Sequence, residues 1–332
     1  MTPHYITGGG LRVDTLITQS GEANIGLIGG NALYAAVGAA LWTDGVGVWA
    51  RVGANYPLDW LARLTHWGLD HSAIIRLAGS HDHRTFYAYT PTGQRDDTHP
   101  AGHFARIGQP LPDFLRDYVH STPGQDDPQV YEPLALRAAD WPQTLTAVAA
   151  VHLSPLSICS HRDLPPFLRS QNVPQITVDP GERYMTPALA DHIRHFLPHI
   201  SAFLPSDQEI RSLFGDSTPL EDAARTLGEW GAPLVIIKRG ADGVLLYERD
   251  PARLTTVPAF HAARDRRVVD VTGAGDAFCG GFMIGLRQTG DPLRAVHYGL
   301  VSASLVIEGY GALYALSRGP KVAHERLATI TL

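Results

Sequence analysis

Short, nearly unbroken apolar runs recur along the chain, each closed by polar, glycine or proline residues and most followed by helix-compatible sequence. GVGVWARVG at 45–53 alternates like a strand, and the PLDWLARLTHWGLD after it repeats its apolar residues at helical spacing as far as Gly68. The unit returns at AVAAVHLSP, PQITVDPG, SAFLPSDQEI and PLVIIKRGADG. Runs of this kind suit parallel strands buried on both faces, so the pattern predicts an α/β fold with a doubly wound, mainly parallel central sheet flanked by helices. Ligands of open parallel sheets bind beyond the carboxyl ends of the strands. Ser154, Asp179, Ser206 to Glu209 and Lys238 to Gly243 are therefore expected along one edge.

One segment departs from the pattern. In SHDHRTFYAYTPTGQRDDTHPAGH, RTFYAYT alternates and PTGQ has turn chemistry, which predicts a β-hairpin leaving the main sheet. Residues 106–146 are rich in Pro, Asp and Gln and read as irregular chain with short helical stretches.

The 332 residues are 44% apolar, enough for a sizeable core. A net charge of −6, from 33 acidic and 27 basic residues, argues against nucleic acid or an anionic membrane as partner and leaves a small molecule. Cys159 and Cys279 stand far apart with no CxxC spacing, which suits a reducing cytoplasm and neither a disulfide framework nor a zinc site. No signal peptide and no run approaching the roughly 20 residues of a membrane span is legible.

The stretch RRVVDVTGAGDAFCGGF carries the candidate chemistry. A strand ending near Asp270, a loop of small residues and a helix beginning near Ala277 would leave the amides of Gly273, Ala274, Gly275 and Asp276 as free donors, an anion site. The glycines let the backbone turn through positive φ. Asp276 at the end of this nest is placed to take a proton from a hydroxyl beside a bound phosphate; the alternative is a helix N-cap in an ordinary turn. No GxxxxGK[ST] occurs, and TGGGLRVD lacks the third glycine of GxGxxG, so neither a P-loop nor a dinucleotide fingerprint is present.

DVTGAGDAFCGGF resembles the C-terminal signature of the ribokinase/PfkB-type carbohydrate kinases. GGGLRVD, GLIGGNALYAAVGAAL, VWARVGANYPLDWLARLTHWGLD, SDQE, VIIKRGADGVLLY and SASLVIEGYGA resemble further stretches of that family, so nearly the whole chain is covered, most weakly at 106–146. The resemblance implies one ribokinase-like domain over 1–332, with a lid from about 10–28 and 82–105 through which such kinases often pair as homodimers. It implies ATP and Mg2+, with K+ as a further cation, and a sugar-like acceptor. Asp276 would be the catalytic base, and Gly273, Ala274 and Gly275 the anion hole. Lys238, Gly240, Gly243, Thr272 and Ser304 would border the nucleotide together with Gly273 and Gly275. Glu209 would act through water on magnesium, and Asp270 would sit at a monovalent-cation loop. Asp14, Gly30 and Asn31 would meet the sugar, with the lid residues Phe86, Tyr87 and Tyr89 excluding water or packing the lid itself.

Ser206 stands in place of the Asn of the family's N-x-x-E, Tyr34 in place of a frequent sugar-contacting Asn, and Gly309 in place of an Arg. Tyr34 narrows the sugar pocket or stacks on a ring. Arg12, two residues before Asp14, could clamp an anionic group of the substrate, or else pair with Asp14 or face solvent. His81, His83, His99 and His103 lack the carboxylate pattern of a metal site, and His192, His195 and His199 fit a helix surface. The readings that remain are a sugar kinase, a nucleoside kinase, and a catalytically weak sugar- or nucleotide-binding protein of the same fold.

Overall fold

Alternate residues of the apolar runs serve opposite layers. In LVIIK of 234–238, Val235 and Ile237 join the core cluster on one side of the sheet and Ile236 joins that on the other, so a continuous apolar run is what the position requires. The protein is described by a computed structural model covering residues 3–90, 95–120, 122–261 and 265–330. The PTGQ turn, 91–94, lies outside the described residues.

The strands are β1 (Tyr5–Gly8), β2 (Arg12–Ile17), β3 (Ala23–Gly29), β4 (Val46–Val52), β5 (Ile74–Arg76), β6 (Arg84–Tyr89), β7 (Arg95–Asp96), β8 (Ala150–Leu153), β9 (Ile176–Val178), β10 (Ala202–Phe203), β11 (Leu234–Lys238), β12 (Val244–Glu248) and β13 (Arg253–Val257). Among the described residues, nine form one sheet in the order β13-β12-β11-β10-β9-β8-β1-β4-β5. It is parallel except where β11, β12 and β13 run antiparallel at one edge.

The helices are α1 (Asn31–Ala40), α2 (Leu58–His66), α3 (Pro100–Arg106), α4 (Ile158–Ser170), α5 (Ala190–Phe196), α6 (Asp207–Phe214), α7 (Leu220–Glu229), α8 (Ala274–Thr289), α9 (Pro292–Val306) and α10 (Tyr314–Thr329), the last kinked at Gly319. Helices α4 to α7 bury their apolar sides on one face of the sheet, and α1, α8 and α9 on the other, with α10 packed on α1 and α9 and α2 joining the same layer through Leu64. The doubly wound expectation holds. No helix among the described residues is long and apolar enough to cross a membrane.

A second sheet, in the order β3-β2-β6-β7, stands over the carboxyl ends of the main sheet's strands. The predicted hairpin is its β6–β7 edge, and β6 lies parallel to β2. Its strands alternate. Ile17, Phe86 and Ala88 face outward onto Phe104, Leu115 and Tyr118, so the poorly legible segment supplies the lid's own small core, while Thr85, Tyr87 and Tyr89 face inward. Phe86 thus packs the lid and does not line the cleft.

The β-branched run before the GAGD loop is not the expected strand. Val269 and Asp270 donate their amides to the Ile307 carbonyl at 2.8 and 3.2 Å, beside the end of α9 and outside the sheet, and Val269 and Val271 are exposed. β propensity there has no neighbouring strand to pair with.

Candidate active site

Gly273 is in the left-handed region (φ 74°), and a Cβ on it would lie 2.1 Å from the Tyr34 ring. Backbone and space both demand glycine there. This turn lets the chain enter α8 at Ala274, three residues before the expected start, and places Asp276 in the first helical turn. The N-cap is Gly273, with no side-chain cap, so Asp276 is not a capping residue. The Ala274 amide donates to the Val271 carbonyl at 3.2 Å, which corrects the expectation of four free donors. Among the described residues, nothing accepts from the amides of Gly273, Gly275 or Asp276. They face a cleft of about 910 Å3 that Asp276 also lines.

Burial pushes the Asp276 carboxyl up to about 8; Asp179 and Asp14 add to the rise, while Lys238 and Arg95 oppose it. A carboxylate in that range is better matched to a proton transfer near neutral pH than an exposed aspartate.

The main sheet contributes the cleft's floor. Asp179 follows β9, Lys238 ends β11, and their side chains meet at 2.5 Å, both nearly sealed from solvent. The Cys279 thiol stands 3.4 Å from the same Asp179 oxygen. The other oxygen, Oδ1, has no partner among the described residues. Glu209 opens α6 in a reciprocal cap: its carboxylate accepts from the Ser206 amide at 2.7 Å, and the Ser206 hydroxyl accepts from the Glu209 amide at 3.2 Å. Burial raises the Glu209 carboxyl, with Asp179 adding and Lys238 opposing. Ser154 reaches the same edge but lies buried, below the cleft surface.

The lid supplies the opposite wall. Asp14 sits in β2 next to a register shift, buried, its Oδ1 unpartnered among the described residues. Burial pushes it up to about 7, against the Gly30 amide and Arg12, with Asp270 adding to the rise. Asn31 ties this wall to the sheet, accepting from the Gly10 amide at 2.8 Å and donating to the Pro155 carbonyl at 2.7 Å. The Tyr34 hydroxyl, buried between lid and loop, also has no partner among the described residues. Arg12 donates to the Asp82 carbonyl at 3.3 Å and forms no ion pair with Asp14. Lid and body touch where the Tyr89 and Thr272 hydroxyls lie 3.3 Å apart and where Arg95 meets Glu182 at 3.0 Å.

Residues 173–318 match the pfkB family of carbohydrate kinases. That stretch includes the GAGD loop, Glu209 and Lys238. Cytidine kinase of Thermococcus kodakarensis is 29% identical to it over 307 residues, 91% of this chain and 95% of the relative. Among solved structures, a ribokinase-II candidate from Escherichia coli in complex with ATP and Mg2+ superposes with a TM-score of 0.71 at 19% identity, covering 99% of this chain and 100% of the other. Aminoimidazole riboside kinase from Salmonella enterica, complexed with aminoimidazole riboside and an ATP analogue, gives 0.68 at 17% identity, covering 97% and 99%. The family match and the kinase-named relatives support an ATP-dependent kinase acting on a sugar-like substrate.

Not every residue expected at its site lines the cleft. Gly243 lets the chain pass the Val257 carbonyl, which a Cβ would approach to 2.0 Å, and Gly240 lies in the turn before it. Ser304 accepts from Arg326 and donates to the Val301 carbonyl inside α9. These three are not among the residues that line the 910 Å3 cleft. Asp270 is buried behind the loop, where its carboxylate accepts from the Thr272 amide at 3.0 Å. His83 is buried as well, accepting from the Gly53 amide at 2.9 Å. No cluster of three metal-binding side chains occurs among the described residues. What sequence reasoning missed is the Asp179–Lys238 pair, Arg95, and a wall made by His120 and residues of 122–135. The first was open to inference, since both residues end apolar runs.

Proposed function

We propose that this kinase transfers the γ-phosphoryl group of ATP to a hydroxymethyl group of a sugar or sugar derivative, with Asp276 as general base. The reading rests on one observation: Asp276 stands at a helix N-terminus with free amides, in the same cleft as the buried, half-satisfied Asp14. Asp14 would orient the acceptor by taking hydrogen bonds from its hydroxyls beside Gly30 and Asn31. Asp276 would receive the hydroxyl proton as the oxygen attacks. The Gly273, Gly275 and Asp276 amides would hold the charge that spreads over the transferring group, the kind of stabilisation in which a single lost donor costs roughly 2.7 to 4 kcal/mol elsewhere. Lys238 lies next to this nest, 3.5 Å from where a Gly275 Cβ would stand. Tyr87, Tyr89 and Arg95 on the lid would exclude water.

Magnesium fits the donors present: Asp179 and Glu209 offer hard carboxylate oxygens at the sheet edge, few enough for an ion that keeps several waters. Bound with ATP, it would neutralise phosphate charge.

A nucleoside acceptor is the second reading, favoured by the similarity to a cytidine kinase over 91% of the chain and by a cleft that continues past Asp14 to His120, Gln125 and Glu132. An ADP-release screen with sugars, sugar acids, sugar phosphates and nucleosides tests both. Absence of release with every class, despite ligand-induced thermal stabilisation, would turn the reading to a binding protein. Repeating the screen in potassium and in choline chloride tests the cation loop at Asp270.

A further inference from the structure

Arg95 belongs to the edge strand of the lid. It pairs in register with Tyr89, whose hydroxyl lies 3.3 Å from that of Thr272, the residue before Gly273. Side chains opposite one another in an antiparallel pair share a face at a separation of about 5 Å, so Arg95 is carried on the inner side of the lid with Tyr89. Its guanidinium carbon stands 5.4 Å from the centre of the Tyr87 ring. Its charge is close enough to oppose the rise that burial imposes on the Asp276 carboxyl. Arg12 and Arg84 also belong to the lid and line the cleft, but both bond to Asp82 at the opposite end of β6.

One carboxylate holds this guanidinium and has a second duty. Glu182 follows Asp179 by three residues; its Oε2 accepts from Arg95 at 3.0 Å and its Oε1 accepts from the Gln208 side-chain amide at 2.9 Å. Gln208 precedes Glu209 in the first turn of α6. The bridge therefore joins the lid to the chain after β9 and to the helix that carries Glu209. An ion pair half exposed to water, as this one is, adds little to stability. So weak a contact suits a closure that is undone at every turnover. Among the described residues a single nitrogen of Arg95 is committed, which leaves the guanidinium with N–H donors for an anion. Arg183, next in the chain and also on the cleft, gives its Nε–H to the Thr122 hydroxyl at 2.9 Å, and Lys238 is paired with Asp179. Neither of these two cations is attached to the lid.

We propose that Glu182 is a positioning residue for phosphoryl transfer: it ties Arg95 to α6, so that the closed lid sets a guanidinium between the amide nest and Glu209, beside the group in transit. The inference rests on the kinase reading and deepens it. Charge spreads over the transferring group, and a guanidinium fixed beforehand in a site closed to water stabilises that charge without having to reorganise.

The test measures ADP release with the acceptor that the screen above finds best, calorimetric ATP affinity and the urea midpoint, for the wild-type protein, Glu182→Gln, Arg95→Gln and the double variant. Glu182→Gln should lower kcat about tenfold and Arg95→Gln about 100-fold, while ATP affinity and the urea midpoint stay close to wild type. The double variant should lose no more than Arg95→Gln alone, because Glu182 acts through Arg95. Arg95→Lys keeps the charge without the planar fork and should fall between wild type and Arg95→Gln. A loss of about 1000-fold in the double variant, the product of the single losses, overturns the positioning role. So does a fall in the urea midpoint of Glu182→Gln large enough to account for its lost activity, which would make the bridge a structural support. No ADP release by the wild-type protein with any acceptor class overturns the kinase reading and this inference with it. Release that Glu182→Gln leaves unchanged removes this inference alone.

Discussion

The Lys238 ammonium stands 2.5 Å from the Asp179 carboxylate at the floor of the cleft, each the end of a separate parallel-strand segment. The two groups are nearly sealed from water, so each depends on the other. Removing one partner of a buried pair costs about 3 to 5 kcal/mol, because a charge is left uncompensated. Lys238→Met is therefore expected to lower stability in denaturant titrations by an amount of that order. The double variant with Asp179→Asn should be more stable than the sum of the single losses predicts. Additive losses would show that the pair is not coupled.

Asp276→Asn keeps the shape of the first helical turn and removes the proton acceptor. Turnover should fall by about 10²- to 10⁴-fold while calorimetric ATP affinity changes little. Near-normal kcat in this variant would take Asp276 out of the base role.

The two glycines of the loop are not equivalent. A Cβ at Gly273 meets the Tyr34 ring at 2.1 Å with φ at 74°, whereas a Cβ at Gly275 lies in ordinary contact with Lys238 at 3.5 Å. Gly273→Ala should cost on the order of 1 to 2 kcal/mol from the left-handed conformation alone, with a further loss from the clash. Gly275→Ala should fold normally. Combining Gly273→Ala with Tyr34→Ala should restore part of the melting temperature by removing the clash.

Asp14 and Asp276 are pushed up to about 7 and about 8 by burial. Between the ordinary aspartate range and these values the folded chain binds more protons than the unfolded one. Their contribution to stability is thus complete below about pH 4 and is lost as pH rises through 7 to 8. Activity should run the other way, since the base must be ionised. The wild-type kcat/KM is expected to climb through a group near pH 8 while the melting temperature declines over the same window. Asp276→Asn should flatten that decline, and an unchanged thermal profile would count against the raised carboxyl.

Much of this was legible in the chain. The apolar runs at 46–52, 150–153, 176–178 and 234–238 became strands of the main sheet because burial on both faces demands such runs. Gly273 was legible because only glycine tolerates its conformation. Asp179, Glu209 and Lys238 reach one cleft because the carboxyl ends of parallel strands share an edge. The misreadings have physical causes. Val268 to Val271 carry strand propensity, yet they meet a carbonyl at the end of α9 and no strand partner.

Periodicity and glycine placement are local properties, carried by the backbone's own sterics and by the two-sided burial of a strand. They were enough to specify the layered α/β architecture and the turn that bares the α8 amides. Pairings between residues distant in the chain follow another logic. The Lys238–Asp179 contact, the reach of Arg95 to Glu182 and the approach of Glu132 to Arg12 exist because packing brings together residues 59, 87 and about 120 positions apart in the chain. Burial in the assembled cleft, and not residue type, is what lifts Asp14 and Asp276 out of the ordinary carboxylate range.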